Sequence, residues 1–328
     1  MRKLLVIAAE QEVHGTSPGP HTFKTAHETE LIGAAGETLQ IIVATPAEAS
    51  AHYADAEVVA AFPLRMPRAA EIPSAKWLHS FSAGVDKILT PEVAASSVLL
   101  SSSKGIHATP IAEHIITFCL MHARGFVKSN AAQRARHWEK NESLKEFCDS
   151  RVLIVGLGSI GREAARLAHQ FGAHVSAVSR SGKGKPDFVE RLETAAMLDE
   201  MLPEADFVVI TMPGTDETRH LFDKSKFALM KASAVLVNIG RGSIVNEPDL
   251  IEALNSGTIA GAGLDVFEKE PLPTESPLWD LPNVIITPHH SGLSHRYMDR
   301  AITLLCENLH AYITSAPLPS LVDKTLGY

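Results

Sequence analysis

Cysteine is scarce: Cys119, Cys148 and Cys306 are the only three in 328 residues. They are far apart, odd in number and form no CxxC pair. This argues against a disulfide framework and a zinc centre, so reduced thiols and no resident metal are expected. Positive charge is also in deficit. The 30 Lys and Arg fall short of the 38 Asp and Glu, giving a net charge of −8, and the chain as a whole offers no attraction to nucleic acid or to an anionic membrane. Long apolar runs are missing too. None approaches the roughly 20 residues of a membrane-spanning helix. The apolar stretch after Lys3 is only about six residues, too short for the core of a secretion signal. It reads instead as a first buried strand, and a cytoplasmic protein is expected.

What the sequence does have is many short, continuous apolar runs. A first series is Leu4–Ala8, Leu39–Ala44, Val58–Phe62, Trp77–Phe81 and Val98–Ser101. A second is Val152–Val155, His174–Val178, Phe207–Thr211, Ala234–Ile239, Gly261–Val266 and Val284–Ile286. Continuous rather than alternating hydrophobicity implies strands buried on both faces, hence parallel sheets. The stretches between them, such as Gly161–Phe171, have helical spacing. The expected fold class is therefore α/β, with two doubly wound parallel-sheet domains. Pro110–Met121 reads as a helix, with Glu113 early enough to meet the helix dipole, and Ser294–Thr314 reads as another. Taking these as the two crossings places an inserted domain at residues 105–295, within a domain formed by 1–104 and 296–328.

The sharpest local signal is Gly156-Leu-Gly158-Ser159-Ile160-Gly161, directly after the strand Val152–Val155 and opening a helix. In such a turn the first glycine allows the bend, the second lets the backbone approach a pyrophosphate, and the third brings helix and strand close. The helix N-terminus then holds the phosphates. Selectivity for NAD comes from an acid about 20 residues further on, at the end of the next strand. Here that position reads Ser179-Arg180-Ser181, followed by Lys183 and Lys185. A guanidinium pairs with a ribose phosphate that an Asp would repel. NADP(H) is the expected cofactor, with NAD as the alternative.

Three later segments carry charged residues just past strands, where ligands bind in this architecture. They are Asn238-Ile239-Gly240-Arg241-Gly242, Asp265-Val-Phe-Glu268-Lys-Glu270-Pro271, and Thr287-Pro288-His289-His290-Ser291. One histidine among 16 says little; an Arg, a Glu and a His past strands of one sheet say more. An imidazolium can supply a proton near neutral pH, a carboxylate beside it fixes its tautomer, and an Arg anchors a carboxylate.

With these segments the chain resembles the D-isomer-specific 2-hydroxyacid dehydrogenases. It has their GxGxxG strand–helix, N-x-x-R-G, LDVFxxEP and TPH segments in order, and further likeness at Ser82-Ala83-Gly84-Val85-Asp86 and Gly105–His114. The resemblance implies a Rossmann dinucleotide domain inserted into a flavodoxin-like substrate domain. It implies that Arg241 binds the substrate carboxylate, that His289 is the general acid/base and that Glu270 holds its imidazole. His290 and Glu268 are the neighbouring alternatives; the TPH pattern and the acid before Pro271 select His289 and Glu270. Backbone N–H groups of Ala83 and Gly84 would help hold the carboxylate, together with Arg241 and His289. Asp265 would face the nicotinamide, and Met212, Pro213, Ile239, Gly240 and Ser291 would line the cofactor cleft with the Gly156–Gly161 turn. The implied reaction is NADP(H)-dependent reduction of small 2-keto acids such as glyoxylate or hydroxypyruvate. The alternatives are an NAD-dependent phosphoglycerate, lactate or formate dehydrogenase, and a dinucleotide-sensing corepressor. Substrate choice would lie near Phe81 and in Gly15–Phe23, and His79, His107 and His114 read as structural. A homodimer built through the dinucleotide domain is also implied, with Gly125–Asp149 and its Trp138 as an arm.

Overall fold

The computed structural model describes residues 2–8, 10–11, 19–140 and 144–325. The chain divides into two compact units, Met1–Ile106 with Leu293–Tyr328, and His107–Gly292.

The first unit holds five parallel strands: β1 (Arg2–Ile7), β2 (Leu39–Ala44), β3 (Val58–Ala61), β4 (Trp77–Ser80) and β5 (Leu99–Ser102). Their order in the sheet is β2-β1-β3-β4-β5, and β1 pairs Leu4 with Val58 and with Ile41. Alternate residues of one strand serve opposite faces. Leu4, Val6, Val58 and Ala60 join Leu31 of helix α1 (Thr25–Ala35) in one core, whereas Leu5, Ile7, Val59 and Ala61 join Leu78 and Leu100 in another. Both faces are thus covered, which is why these strands read as unbroken apolar runs.

The second unit opens with helix α2 (Ala108–Ala123) and is built on seven parallel strands. They are β6 (Arg151–Val155), β7 (His174–Ser179), β8 (Arg191–Thr194), β9 (Phe207–Ile210), β10 (Val235–Asn238), β11 (Gly261–Leu264) and β12 (Val284–Ile286). The order is β8-β7-β6-β9-β10-β11-β12, so the chain reverses direction across the sheet between β6 and β9. Helix α3 (Ser159–Gln170) packs Ala164, Ala165 and Ala168 with Ile115 and Phe118 of α2 over Val152, Ile154, Val209 and Val237. The opposite face carries Val155, Val208, Leu236 and Leu264 with Leu250 of α4 (Glu247–Asn255).

Some local expectations are revised. Helix α2 begins at Ala108, so Glu113 falls in its second turn, and the first turn contains no acid. The last helix, α5, runs Tyr297–Ile313 and joins the first unit's core through Ile302, Leu305 and Leu309. Strand β8 reads Arg-Leu-Glu-Thr and sits at a sheet edge, so no apolar run marks it. Among the described residues, no helix is long and apolar enough to cross a membrane.

Candidate active site

The turn from β6 into α3 is shaped by close contacts. Gly156 has φ +110°, and a Cβ there would lie 2.8 Å from the backbone nitrogen of Met212. A Cβ on Gly161 would lie 2.0 Å from the carbonyl oxygen of Gly156. Neither position admits another residue without moving backbone. At Gly158 the reverse holds: nothing lies within 4 Å of a built Cβ. That open space adjoins the head of α3, whose first N–H groups have no partner within the helix. Room for a phosphate beside a helix N-terminus fits a dinucleotide pyrophosphate. Ser159 is exposed and Ile160 half-buried in this turn. Met212 is half-buried and Pro213 exposed after β9, while Ile239 and Gly240 are buried after β10.

The loop after β7 is a tight basic turn. Ser179 Oγ accepts the N–H of Gly182 at 3.1 Å, and Ser181 Oγ accepts that of Lys183 at 3.3 Å. Arg180 and Lys183 are exposed, whereas Lys185 donates to the carbonyl of Val189 at 2.7 Å and is tied into its own loop. The sequence reading missed Arg162. It stands in the first turn of α3, and its guanidinium donates to the carbonyl of Gly184 at 3.0 Å. A cation directly after Gly161, facing a basic loop, was the available signal.

The catalytic candidates come from three adjacent strands. Past β10, buried Asn238 staples the turn: its Oδ1 accepts the N–H of Gly240 at 3.1 Å and its Nδ2 donates to the carbonyl of Arg241 at 3.1 Å. Arg241 emerges exposed, with Nη1 donating to the Gly240 carbonyl at 2.8 Å. Past β11, the N–H of Phe267 donates to Glu270 Oε1 at 3.1 Å. The other carboxylate oxygen, Oε2, is 2.7 Å from His289 Nδ1, with the ring half-exposed. Past β12, His289 has φ +51°, a conformation a non-glycine residue adopts only when its surroundings impose it. Its N–H is bound to the carbonyl of Asp265 at 2.9 Å. With Nδ1 on the carboxylate, Nε2 is the nitrogen left for chemistry. The neighbouring alternatives are used elsewhere: Glu268 pairs with His220, and the His290 ring meets His114 at 5.6 Å between centroids.

Asp265 is not on an open surface. It is fully buried; Oδ1 accepts the Thr287 hydroxyl at 2.6 Å and the N–H of His290 at 3.0 Å, and Oδ2 accepts the N–H of Ser291 at 3.1 Å. It thereby holds the backbone of the segment that carries His289. Ser291 is itself buried. His114 joins this network through Nε2, 3.0 Å from Thr287 Oγ1, and burial lowers its pKa.

In the first unit, Ala83 is exposed and Gly84 half-buried, in the turn after β4. Phe81 is fully buried, with its carbonyl accepting the hydroxyl of Tyr297 at 2.7 Å, so its ring is core and not pocket wall. Of Gly15–Phe23, residues 15–18 lie outside the described residues.

Comparison with known proteins places this arrangement. Residues 116–291 match the profile of the "D-isomer specific 2-hydroxyacid dehydrogenase, NAD binding domain". A curated glyoxylate/hydroxypyruvate reductase B of Serratia proteamaculans is 34% identical over 261 residues, covering 78% of this chain and 80% of that protein. A crystal structure of a D-isomer-specific 2-hydroxyacid dehydrogenase family protein from Aeromonas salmonicida superposes with a TM-score of 0.83 at 33% identity, over 98% of this chain and 99% of that one. An NADPH-dependent glyoxylate/hydroxypyruvate reductase from Sinorhizobium meliloti, in complex with NADP and sulfate, does so with a TM-score of 0.78 at 29% identity over 100% of both chains. The chain therefore belongs to the D-isomer-specific 2-hydroxyacid dehydrogenase family and is an NAD(P)-dependent oxidoreductase.

Proposed function

We propose that this enzyme reduces small 2-keto acids, with glyoxylate and hydroxypyruvate foremost, to D-2-hydroxy acids, and that it prefers NADP(H). The observation that carries the reading is the Glu270–His289 pair at 2.7 Å, past the strand next to the one that presents Arg241. The dinucleotide, held by the Gly156–Gly161 turn, supplies the hydride for the carbonyl carbon. His289 Nε2 delivers the proton to the carbonyl oxygen, while Glu270 fixes the tautomer and stabilises the imidazolium. Arg241 anchors the carboxylate and offsets negative charge developing on the oxygen. Ala83 and Gly84 are kept as carboxylate-binding positions on the strength of the resemblance.

Preference for the 2′-phosphate is supported by Ser179, Arg180, Ser181 and Lys183, a stretch without any acid, and by the NADP bound in the Sinorhizobium meliloti relative. A homodimer with Gly125–Asp149 as the arm is consistent with Trp138, which is 91% exposed.

The test is the initial rate at 340 nm with NADPH and NADH against glyoxylate, hydroxypyruvate, pyruvate and phenylpyruvate. We expect NADPH to be favoured, the preference to shrink in Arg180→Ala, and turnover to be lost in His289→Ala. Equal rates with NADH would refute the cofactor assignment; full turnover by His289→Ala would refute the proton donor.

A further inference from the structure

At the root of the turn that carries Ala83 and Gly84 lies a row of polar side chains with no contact to solvent. Trp77, His79 and Ser80 come from β4, Ser101 from β5, and Ser103 directly follows β5. All five are fully buried. We propose that Trp77, Ser101, His79 and Ser103 form a one-way hydrogen-bond chain that fixes the start of this turn, and that it thereby positions the N–H groups of Ala83 and Gly84 for the substrate carboxylate. His79 and Ser103 are then positioning residues. The carboxylate role rests on the function proposed above; the chain does not.

The direction of every bond follows from one carbonyl. A carbonyl oxygen only accepts, so the Ser103 hydroxyl donates to that of Ser80 at 3.0 Å. Its one proton is then used. Across the longest link, 3.4 Å, Ser103 Oγ therefore accepts from His79 Nε2–H. Burial lowers the His79 pKa to about 3, so the ring is neutral and Nδ1 is bare. Nδ1 accepts from the Ser101 hydroxyl at 2.8 Å. Ser101 Oγ in turn accepts from the Trp77 indole N–H, a group that can only donate, at 2.8 Å. The other tautomer of His79 would strand the Ser101 proton without an acceptor and set two lone pairs against each other at Nε2. Unmet polar groups are costly when buried.

The chain ends where the turn begins. The Ser80 carbonyl takes the Ser103 hydroxyl and, at 2.9 Å, the Ser103 N–H, which fills both of its lone pairs. The same N–H reaches the Ser82 carbonyl at 3.2 Å. The Ser82 N–H is held by Ser80 Oγ at 3.1 Å, and the Phe81 carbonyl by the Tyr297 hydroxyl. Directly after this fixed stretch, the N–H groups of Ala83 and Gly84 donate to nothing among the described residues. Successive N–H groups held by rigid neighbours suit an anion, because little ordering remains to be done when it binds.

The test compares Ser103→Ala with Ser102→Ala in the full-length protein. Ser102 is buried beside Ser103, and its hydroxyl has no partner among the described residues. Its loss matches the first in size and burial and spares the chain. Amide hydrogen exchange without ligand is read first. Ser103→Ala should speed exchange of the Ser82 N–H by about threefold to tenfold, and Ser102→Ala should not. In kinetics, Ser103→Ala should raise KM for glyoxylate by about threefold to tenfold, with a smaller change in kcat and none in KM for NADPH. Histidine NMR of the wild type should show the His79 ring neutral and protonated on Nε2 from about pH 5 to about pH 8. A ring protonated on Nδ1, or Ser82 exchange that responds equally to both substitutions, overturns the chain. Faster exchange with an unchanged KM for glyoxylate overturns the positioning. The expected tautomer and exchange in a wild type that turns over no keto acid overturn the reaction proposed above, and the carboxylate role with it, while the chain stands.

Discussion

Adding one methyl group at Gly242 should damage the Arg241 turn and the Glu270 segment together. A Cβ there would lie 1.9 Å from the carbonyl carbon of Phe267, 2.0 Å from its oxygen and 2.5 Å from the backbone nitrogen of Glu268. Carbon–carbon contacts are comfortable near 3.5–4.0 Å, so the two chains must part by more than about 1.5 Å. All the obstructing atoms are backbone, and no rotamer change relieves them. Forced overpacking of this kind costs about 1–3 kcal/mol or more. In a unit the size of His107–Gly292 that corresponds to a melting shift of about 2–4 °C per kcal/mol. Activity should suffer more. Phe267 N–H is what holds Glu270 Oε1, and Glu270 in turn holds His289. Displacing catalytic groups by about 1 Å can cost about 100-fold in rate. The assays are thermal unfolding and kcat/KM for glyoxylate with NADPH. Gly33→Ala in α1 is the control, because nothing lies within 4 Å of its Cβ position and its φ is ordinary; it should be neutral or slightly stabilising. A Gly242→Ala protein that melts within a degree of wild type and keeps its kcat/KM would refute the steric argument.

Other consequences follow from the same contacts. Asp265→Asn replaces an all-acceptor group with an amide whose NH₂ must oppose one set of its donors, the Ser291 N–H or the His290 N–H with the Thr287 hydroxyl. This should lower stability by about 1–3 kcal/mol, and an unchanged melting temperature would contradict it. Arg162→Ala removes the bond to the Gly184 carbonyl; KM for NADPH should rise while KM for NADH stays put, and equal effects on both would argue against a role at the 2′-phosphate. His79 is fully buried, which lowers its pKa to about 3. Between that value and the ordinary 6.5 the unfolded chain binds the proton and the folded chain does not, so stability falls as the pH drops below about 6.5. By pH 5 the loss reaches about 2 kcal/mol; His79→Gln should flatten the slope of unfolding free energy against pH over that interval.

Much of this was legible in the sequence, for physical reasons that differ from place to place. Strands covered on both faces cannot hide: β6, β9 and β10 carry the unbroken apolar runs Val152–Val155, Phe207–Ile210 and Val235–Val237. Strand β8 escaped because an edge strand has one neighbour and need not be apolar. The glycine turn was legible because its spacing encodes contacts that a side chain would violate at Gly156 and Gly161. Asp265 was legible as an acid at a strand end, but its buried hydrogen bonds were not. A strand end carrying an acid looks the same in sequence whether the carboxylate turns outward or, as here, inward to three hydrogen-bond donors from a segment over twenty residues away. Arg162 was visible as a cation directly after Gly161, but its role went unread because its partner is a backbone carbonyl, and carbonyls carry no sequence signature.

The reversal of chain direction between β6 and β9 has a consequence for how such an enzyme diversifies. The residues we propose to face the dinucleotide's phosphates lie before it, in Gly156–Lys185; Arg241, Glu270 and His289, proposed as the carboxylate anchor and the proton-donating pair, lie after it. The two sets share a sheet but no loop. On the proposed reading coenzyme selectivity is written in one continuous stretch of about thirty residues, and exchanging that stretch between homologues should carry the preference with it and leave the chemistry of the remainder untouched.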